Sequence, residues 1–152
     1  LEAVIGQKLI ANGKTIATAE SCTGGMIAQK LTSVAGSSDY FKGSVVAYAN
    51  EIKTKILQIP ASIIDEKGAV SEEVACLMAA NVRKLMGTDI GISTTGIAGP
   101  DGGTEEKPVG TVWIGLATEE GVSARKYQFG NQRDRNIHWT LQTALNRIRR
   151  EL

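Results

Sequence analysis

With 152 residues, of which 42% are hydrophobic and 22% charged, the chain has the make-up of an ordinary globular domain, long enough for one core and too short for two. Seventeen basic and sixteen acidic residues are intermixed and leave a net charge of +1, which excludes bulk attraction to nucleic acid or to an anionic membrane, so any anion binding has to be local. One histidine, His138, and two cysteines, Cys22 and Cys76, lack partners at metal-ligand spacing, which argues against an all-protein zinc site and against a disulfide scaffold. No apolar stretch reaches the ~18 residues that span a bilayer and no signal peptide is evident, so the cytoplasm is the default location. The chain opens at Leu1, as expected where an N-terminus has been trimmed or a preceding domain removed.

In chain order, Val4, Ile5, Leu9 and Ile10 form a helical stripe that ends at Asn12-Gly13. Thr15 to Ala19 reads as a buried strand. It runs into the polar turn Glu20-Ser-Cys-Thr-Gly-Gly25, and Met26 to Leu31 reads as the next helix. After a loop at 35–39, Tyr40 to Tyr48 is predicted as a second strand, with Asn50 capping a short helix that stops before Pro60. Ser71-Glu72-Glu73 caps a longer helix with Val74, Leu77, Met78, Val82 and Leu85 facing inward. Asp89 to Thr95 is a third strand and enters the loop Gly96 to Thr104. Val109 to Thr118 and Val122 to Phe129 form a hairpin, and a last helix from about Asn131 carries Ile137, Leu141, Leu145 and Ile148. This order predicts an α/β fold, a three-layer α/β/α sandwich with a mixed, partly parallel central sheet, in one domain over residues 1–152.

Ligands of such sheets gather at strand carboxyl ends, which here are Ser21, Tyr48 and Thr95-Gly96. The hydroxyls of Ser21 and Thr23, the close backbone approach permitted by Gly24 and Gly25, and the start of the next helix together make a candidate anion or oxyanion site; an N-cap alone is the plainer reading. The loop from Gly96 through Gly99 to Gly103 can wrap a phosphate with its amides, or simply turn tightly. For a serine nucleophile the base decides the mechanism. His138, flanked by Ile137 and Trp139 within a helix, disfavours a Ser-His-Asp triad, whereas Lys53 lies with Asn50 on one side of a helix start. Spacing alone leaves Lys53 an ordinary solvated lysine. Cys22 remains open as a rival nucleophile, although neighbouring side chains on an extended backbone point apart, so that Ser21 and Cys22 are not expected to face the same crevice. Arg133 can pair with an anionic ligand or sit on a solvated face.

Five segments in order resemble the CinA C-terminal domain family, the nicotinamide-mononucleotide amidases of bacteria: Ala19 to Gly25, Ala35 to Ser38, Val46 to Glu51 with Lys53, Gly68 to Glu72, and Ser93 to Gly103 followed by Glu106 to Trp113. The resemblance implies hydrolysis of nicotinamide mononucleotide to nicotinic acid mononucleotide and ammonia, in pyridine nucleotide recycling. It implies Ser21 as nucleophile, Lys53 as its base, and supporting roles for Tyr48, Thr95 and Arg133. Thr23, Gly24, Gly25, Asn50, Gly96 and Gly99 are the expected substrate-binding residues, the substrate being a small nucleotide. No metal or organic cofactor is called for, and a homodimer is what the family suggests. The longer members' N-terminal domain, which resembles molybdopterin-binding proteins, is not represented here, so its activity is not assigned. Two alternatives stay open: an amidase using Cys22, and a non-catalytic nucleotide-binding or regulatory module.

Overall fold

The structure is a computed structural model that describes all of residues 1–152. The helices are α1 (Glu2–Ala11), α2 (Met26–Thr32), α3 (Asn50–Lys55), α4 (Ala61–Lys67), α5 (Glu72–Met86) and α6 (Arg133–Glu151). The strands are β1 (Ile16–Glu20), β2 (Phe41–Val46), β3 (Ile90–Gly96), β4 (Thr111–Thr118) and β5 (Gly121–Gln128), with a single 3-10 turn at Ser37–Asp39. Strand order is β2-β1-β3-β4-β5, with β1 parallel to β2 and β3, and β4 antiparallel to both β3 and β5. The parallel pairs are those joined through helices, and the helix-free connections give the antiparallel edge. This is the mixed α/β sheet between two helical layers that the sequence predicts.

Strand alternation assigns each residue of β1 to a layer. Ile16 joins the core made with Ile5 and Leu9 of α1, Ile27 of α2, and Leu141 and Leu145 of α6. Ala17 and Ala19 face the opposite core, built from Leu57, Ile59, Ile64 and the α5 residues Met78 and Val82. Directly beneath α5 the sheet residues Gly91, Ser93 and Gly115 are small because the helix lies close: a Cβ on Gly91 would overlap the Ala79 carbonyl, and Ser93 Oγ donates to the Ala75 carbonyl at 2.6 Å. Ser71 caps α5 as expected, accepting from the Val74 amide at 3.3 Å.

Several expectations are corrected. The second strand stops at Val46, which releases Ala47 and Tyr48 into a loop that matters for the site. Tyr40 precedes that strand and is buried instead, its hydroxyl donating to the Leu31 carbonyl at 3.0 Å. Helix α4 is an addition to the elements read from the sequence; Pro60 starts it with a φ already suited to a helix entry, and it buries Ile64. Val4, Ile10 and Leu85 are exposed, so the inward stripes of α1 and α5 are narrower than the sequence predicts. No helix is long and apolar enough to cross a membrane.

Candidate active site

The parity of β1 continues into the turn after it, so Glu20 and Ser21 go to opposite faces. Glu20 lies with Thr18 on the α2 side and is fully buried. Its carboxylate accepts from the amides of Gly25 (3.2 Å), Ile27 (2.9 Å) and Ala28 (2.9 Å), and from the hydroxyls of Thr23 (2.7 Å) and Thr18 (3.1 Å). Gly24 and Gly25 make this wrap possible with φ of 59° and 101°, conformations that cost a residue with a Cβ. The start of α2 is therefore already occupied by an internal carboxylate. That corrects the expectation of a free anion site there: Thr23 points at Glu20 and Thr94, and Thr23, Gly24 and Gly25 are not among the residues that line the cleft. Sequence reasoning passes over Glu20; its signal is a carboxylate ending a five-residue strand that is buried throughout.

Ser21 sits on the α3 side, held by its amide donating to the Thr94 carbonyl at 3.0 Å. Opposite it, Lys53 is 1% exposed and its Nζ lies 3.1 Å from Ser21 Oγ. The same nitrogen donates to the carbonyls of Ala47 (2.8 Å) and Tyr48 (3.1 Å), both in the segment released by the early end of β2. Removal from water lowers the Lys53 pKa from its ordinary value, and Cys22 opposes that shift. A neutral amine has two N–H groups and one lone pair. As an ammonium Lys53 donates to all three oxygens; once it loses a proton, the two carbonyls hold its N–H groups and the lone pair is free for the Ser21 hydroxyl.

Above this pair opens a cleft of about 280 Å³, bordered by Tyr48, Asn50, Thr95, Gly96, Gly99 and Arg133, with Asp101 on its rim. Arg133, the first residue of α6, donates to the Gly99 carbonyl at 2.7 Å and to the Tyr48 hydroxyl at 3.0 Å, tying the glycine loop to the loop after β2. Thr95 is buried and its hydroxyl donates to the Ala69 carbonyl at 2.9 Å. Neither Thr95 nor the Tyr48 ring hydrogen-bonds Lys53; Tyr48 holds it through its backbone oxygen. The structure thus brings together Ser21, Lys53, Tyr48, Thr95, Arg133, Asn50, Gly96 and Gly99 around one cleft. Gly24 spends its amide on the Ser21 carbonyl, but the amides of Cys22 and Thr23 make no hydrogen bond within the protein.

As expected, the Cys22 side chain parts from that of Ser21 and packs into the core made with α1, α2 and α6, although the residue also borders the cleft. Its thiol is nonetheless buried, and burial pushes its pKa up to about 12, so at neutral pH it stays protonated and a poor nucleophile. His138 is exposed on α6 and lines no part of the cleft.

Comparison with known proteins agrees with the fold. The model of the CinA C-terminal domain matches residues 1–152. A CinA-like protein of Cytophaga hutchinsonii is 58% identical over 152 residues, covering all of this chain and 36% of its own length. One of Salinibacter ruber is 54% identical, with 37% of its length covered. The chain thus spans little more than a third of the curated relatives it matches. Among solved structures, the competence damage-inducible protein A of Klebsiella pneumoniae superposes with a TM-score of 0.94 at 32% identity, covering 98% of this chain and 92% of that one. The competence/damage inducible protein of Agrobacterium tumefaciens gives 0.90 at 35% identity, with 97% and 92% covered. With the fold, the motif segments and the family model in agreement along its whole length, the chain belongs to the CinA C-terminal domain family.

Proposed function

We propose that residues 1–152 form an amidohydrolase that converts nicotinamide mononucleotide to nicotinic acid mononucleotide and ammonia through a Ser21–Lys53 dyad. The observation that carries this reading is the 3.1 Å approach of a water-excluded Lys53 amine to Ser21 Oγ, with both competing N–H groups already engaged by carbonyls. Ser21 Oγ attacks the carboxamide carbon as its proton passes to Lys53 Nζ, giving a tetrahedral oxyanion. The free amide of Cys22, which borders the cleft, is the donor left at the turn to receive it, a contact of this kind being worth ~3 kcal/mol. Lys53 then returns the proton to the departing nitrogen, which leaves as ammonia and an acyl-Ser21 ester. Water, deprotonated by the same amine, cleaves the ester and restores Ser21.

Arg133 and the glycine-loop amides are the groups available to the ribosyl phosphate, and binding there supplies free energy remote from the reacting carbon. No step of this sequence calls on a metal or an organic cofactor. Purified Ser21→Ala and Lys53→Ala are each expected to lose ammonia release from nicotinamide mononucleotide by a factor on the order of 10³ or more, with far-ultraviolet circular dichroism unchanged. Activity within tenfold of wild type in either variant removes that residue from the mechanism.

A further inference from the structure

At the far end of α6 lies a second cavity that shares no residue with the cleft, a groove of about 440 Å³ between the helix and β5. Arg147 is 14 positions beyond Arg133, which at 1.5 Å per residue sets the two about 21 Å apart along the helix. Arg147 interrupts the buried stripe of Leu141, Ala144, Leu145 and Ile148 and is itself only 8% exposed. Its guanidinium donates to the Ile114 carbonyl and, at 3.1 and 2.7 Å, to the carbonyl and hydroxyl oxygens of Ser123. Arg125 from β5 and Arg150 from the next turn of α6 border the same groove.

None of the three arginines has a carboxylate within 4.0 Å, although Glu151 also borders the groove; the ion pairs of the chain are Leu1–Glu2 and Lys14–Glu119. Burial lowers the pKa of Arg147; of the lesser influences, Tyr127 raises it, Arg125 lowers it further, and Cys76 and Glu151 oppose. Converging, unneutralised like charges raise the free energy of the folded state until a counter-charge arrives. Three guanidinium groups less one carboxylate leave the groove at +2, which matches the charge of about −1.5 to −2 carried by a phosphate monoester at neutral pH. Guanidinium forks also match the oxygen spacing of a phosphoryl group, and the Ser123 hydroxyl and Asn146 add neutral partners on the same wall.

We propose that this groove, formed by Arg125, Arg147 and Arg150, is a phosphate-binding site separate from the Ser21 cleft, for inorganic phosphate or the phosphoryl group of a small phosphomonoester. It does not rest on the amidase reading. The test titrates Arg133→Ala protein, in which the cleft has lost its one exposed cation, with inorganic phosphate and in parallel with ribose 5-phosphate, against sodium chloride at matched ionic strength. Calorimetry gives the affinity and amide chemical shifts give the place. Saturable binding above the chloride control, with shifts at Ser123, Arg125 and Arg150, is expected, and R125Q/R150Q is expected to weaken it at least tenfold. Tighter binding of ribose 5-phosphate than of phosphate identifies an organic phosphomonoester as the ligand; equal binding identifies the free ion. Should the double variant not fold, R150E alone is expected to abolish binding. No saturation beyond chloride, shifts confined to residues 21–25 and 95–102, or affinity unchanged by the arginine substitutions overturns the proposal.

Discussion

Glu20 and Ser21 are neighbours in the chain, both buried and both polar, yet the sheet separates their fates. Glu20 faces α2 in a pocket filled to completion, its oxygens accepting five hydrogen bonds from the strand, turn and helix around it. Ser21 faces α3, where its hydroxyl meets one amine and an open cleft. A structural polar residue thus differs from a reactive one not in burial but in the capacity left over after its partners are counted. On the Glu20 side nothing remains; on the Ser21 side a hydroxyl with one partner and a volume remain.

That contrast is broken most severely at Glu20. In Glu20→Ala the amides of Gly25, Ile27 and Ala28 lose their acceptor together, and at about 1–3 kcal/mol for each buried orphan, softened by water entry, a loss of about 3–5 kcal/mol in chemical denaturation is expected. Glu20→Gln is expected to cost less but not nothing. One of its two oxygens becomes an amide NH2, and if that group takes the Oε2 position it faces the Ala28 N–H, donor against donor. Ser21→Ala, by contrast, is expected to shift stability by less than about 1 kcal/mol while removing turnover. Equal destabilisation by Ser21→Ala and Glu20→Ala denies the division of labour.

A smaller effect sharpens the picture on the α5 side. Gly91→Ala places a methyl group against the Ala79 carbonyl, backbone that cannot rotate away, and about 1–3 kcal/mol is expected to be lost as α5 lifts from the sheet. Because Thr95 and Ala69 border the cleft between β3 and the start of α5, the same substitution is expected to raise KM more than it lowers kcat. A thermal melt with steady-state kinetics on the same preparation checks both. Unchanged melting indicates that the helix stands off farther than its carbonyls imply.

Much of this division is legible in the sequence, and the reasons for the remainder are specific. The Thr15 to Ala19 strand, the Ser71 cap and the strand-end position of Ser21, Tyr48 and Thr95 follow from local periodicity and turn chemistry, which need only nearby residues. Lys53 is legible only through the family resemblance, since its burial depends on carbonyls exposed by the early end of β2. Glu20 escapes notice because glycines and a helix start suggest a free anion site, and only the fold reveals that the anion is internal. Helix α4 escapes it because a proline reads equally as the stop of one helix and the start of another; α3 already ends at Lys55, and Pro60 serves only to start α4.

The smallest effects concern protons. Lys53 has a lowered pKa in the folded chain, so over the interval between that value and its ordinary 10.5 the unfolded chain binds more protons and stability rises with pH; below the interval the cost of charging the buried amine is fully present. Cys22 runs the other way. Its pKa rises from 9.0 to about 12 on folding, so above pH 9 the unfolded chain loses the thiol proton first and stability falls. Cys22→Ser, which conserves volume and removes the titration, is expected to keep turnover within threefold and to make the alkaline rise in stability easier to see. Lys53→Met is expected to flatten that rise, and in wild type kcat/KM is expected to climb with pH through the Lys53 pKa as the free amine accumulates. The measurement is a series of denaturant melts from pH 6 to 10 on wild type and both variants. An alkaline rise that persists in Lys53→Met assigns the proton to another group, and a loss of turnover in Cys22→Ser returns the nucleophile to the thiol.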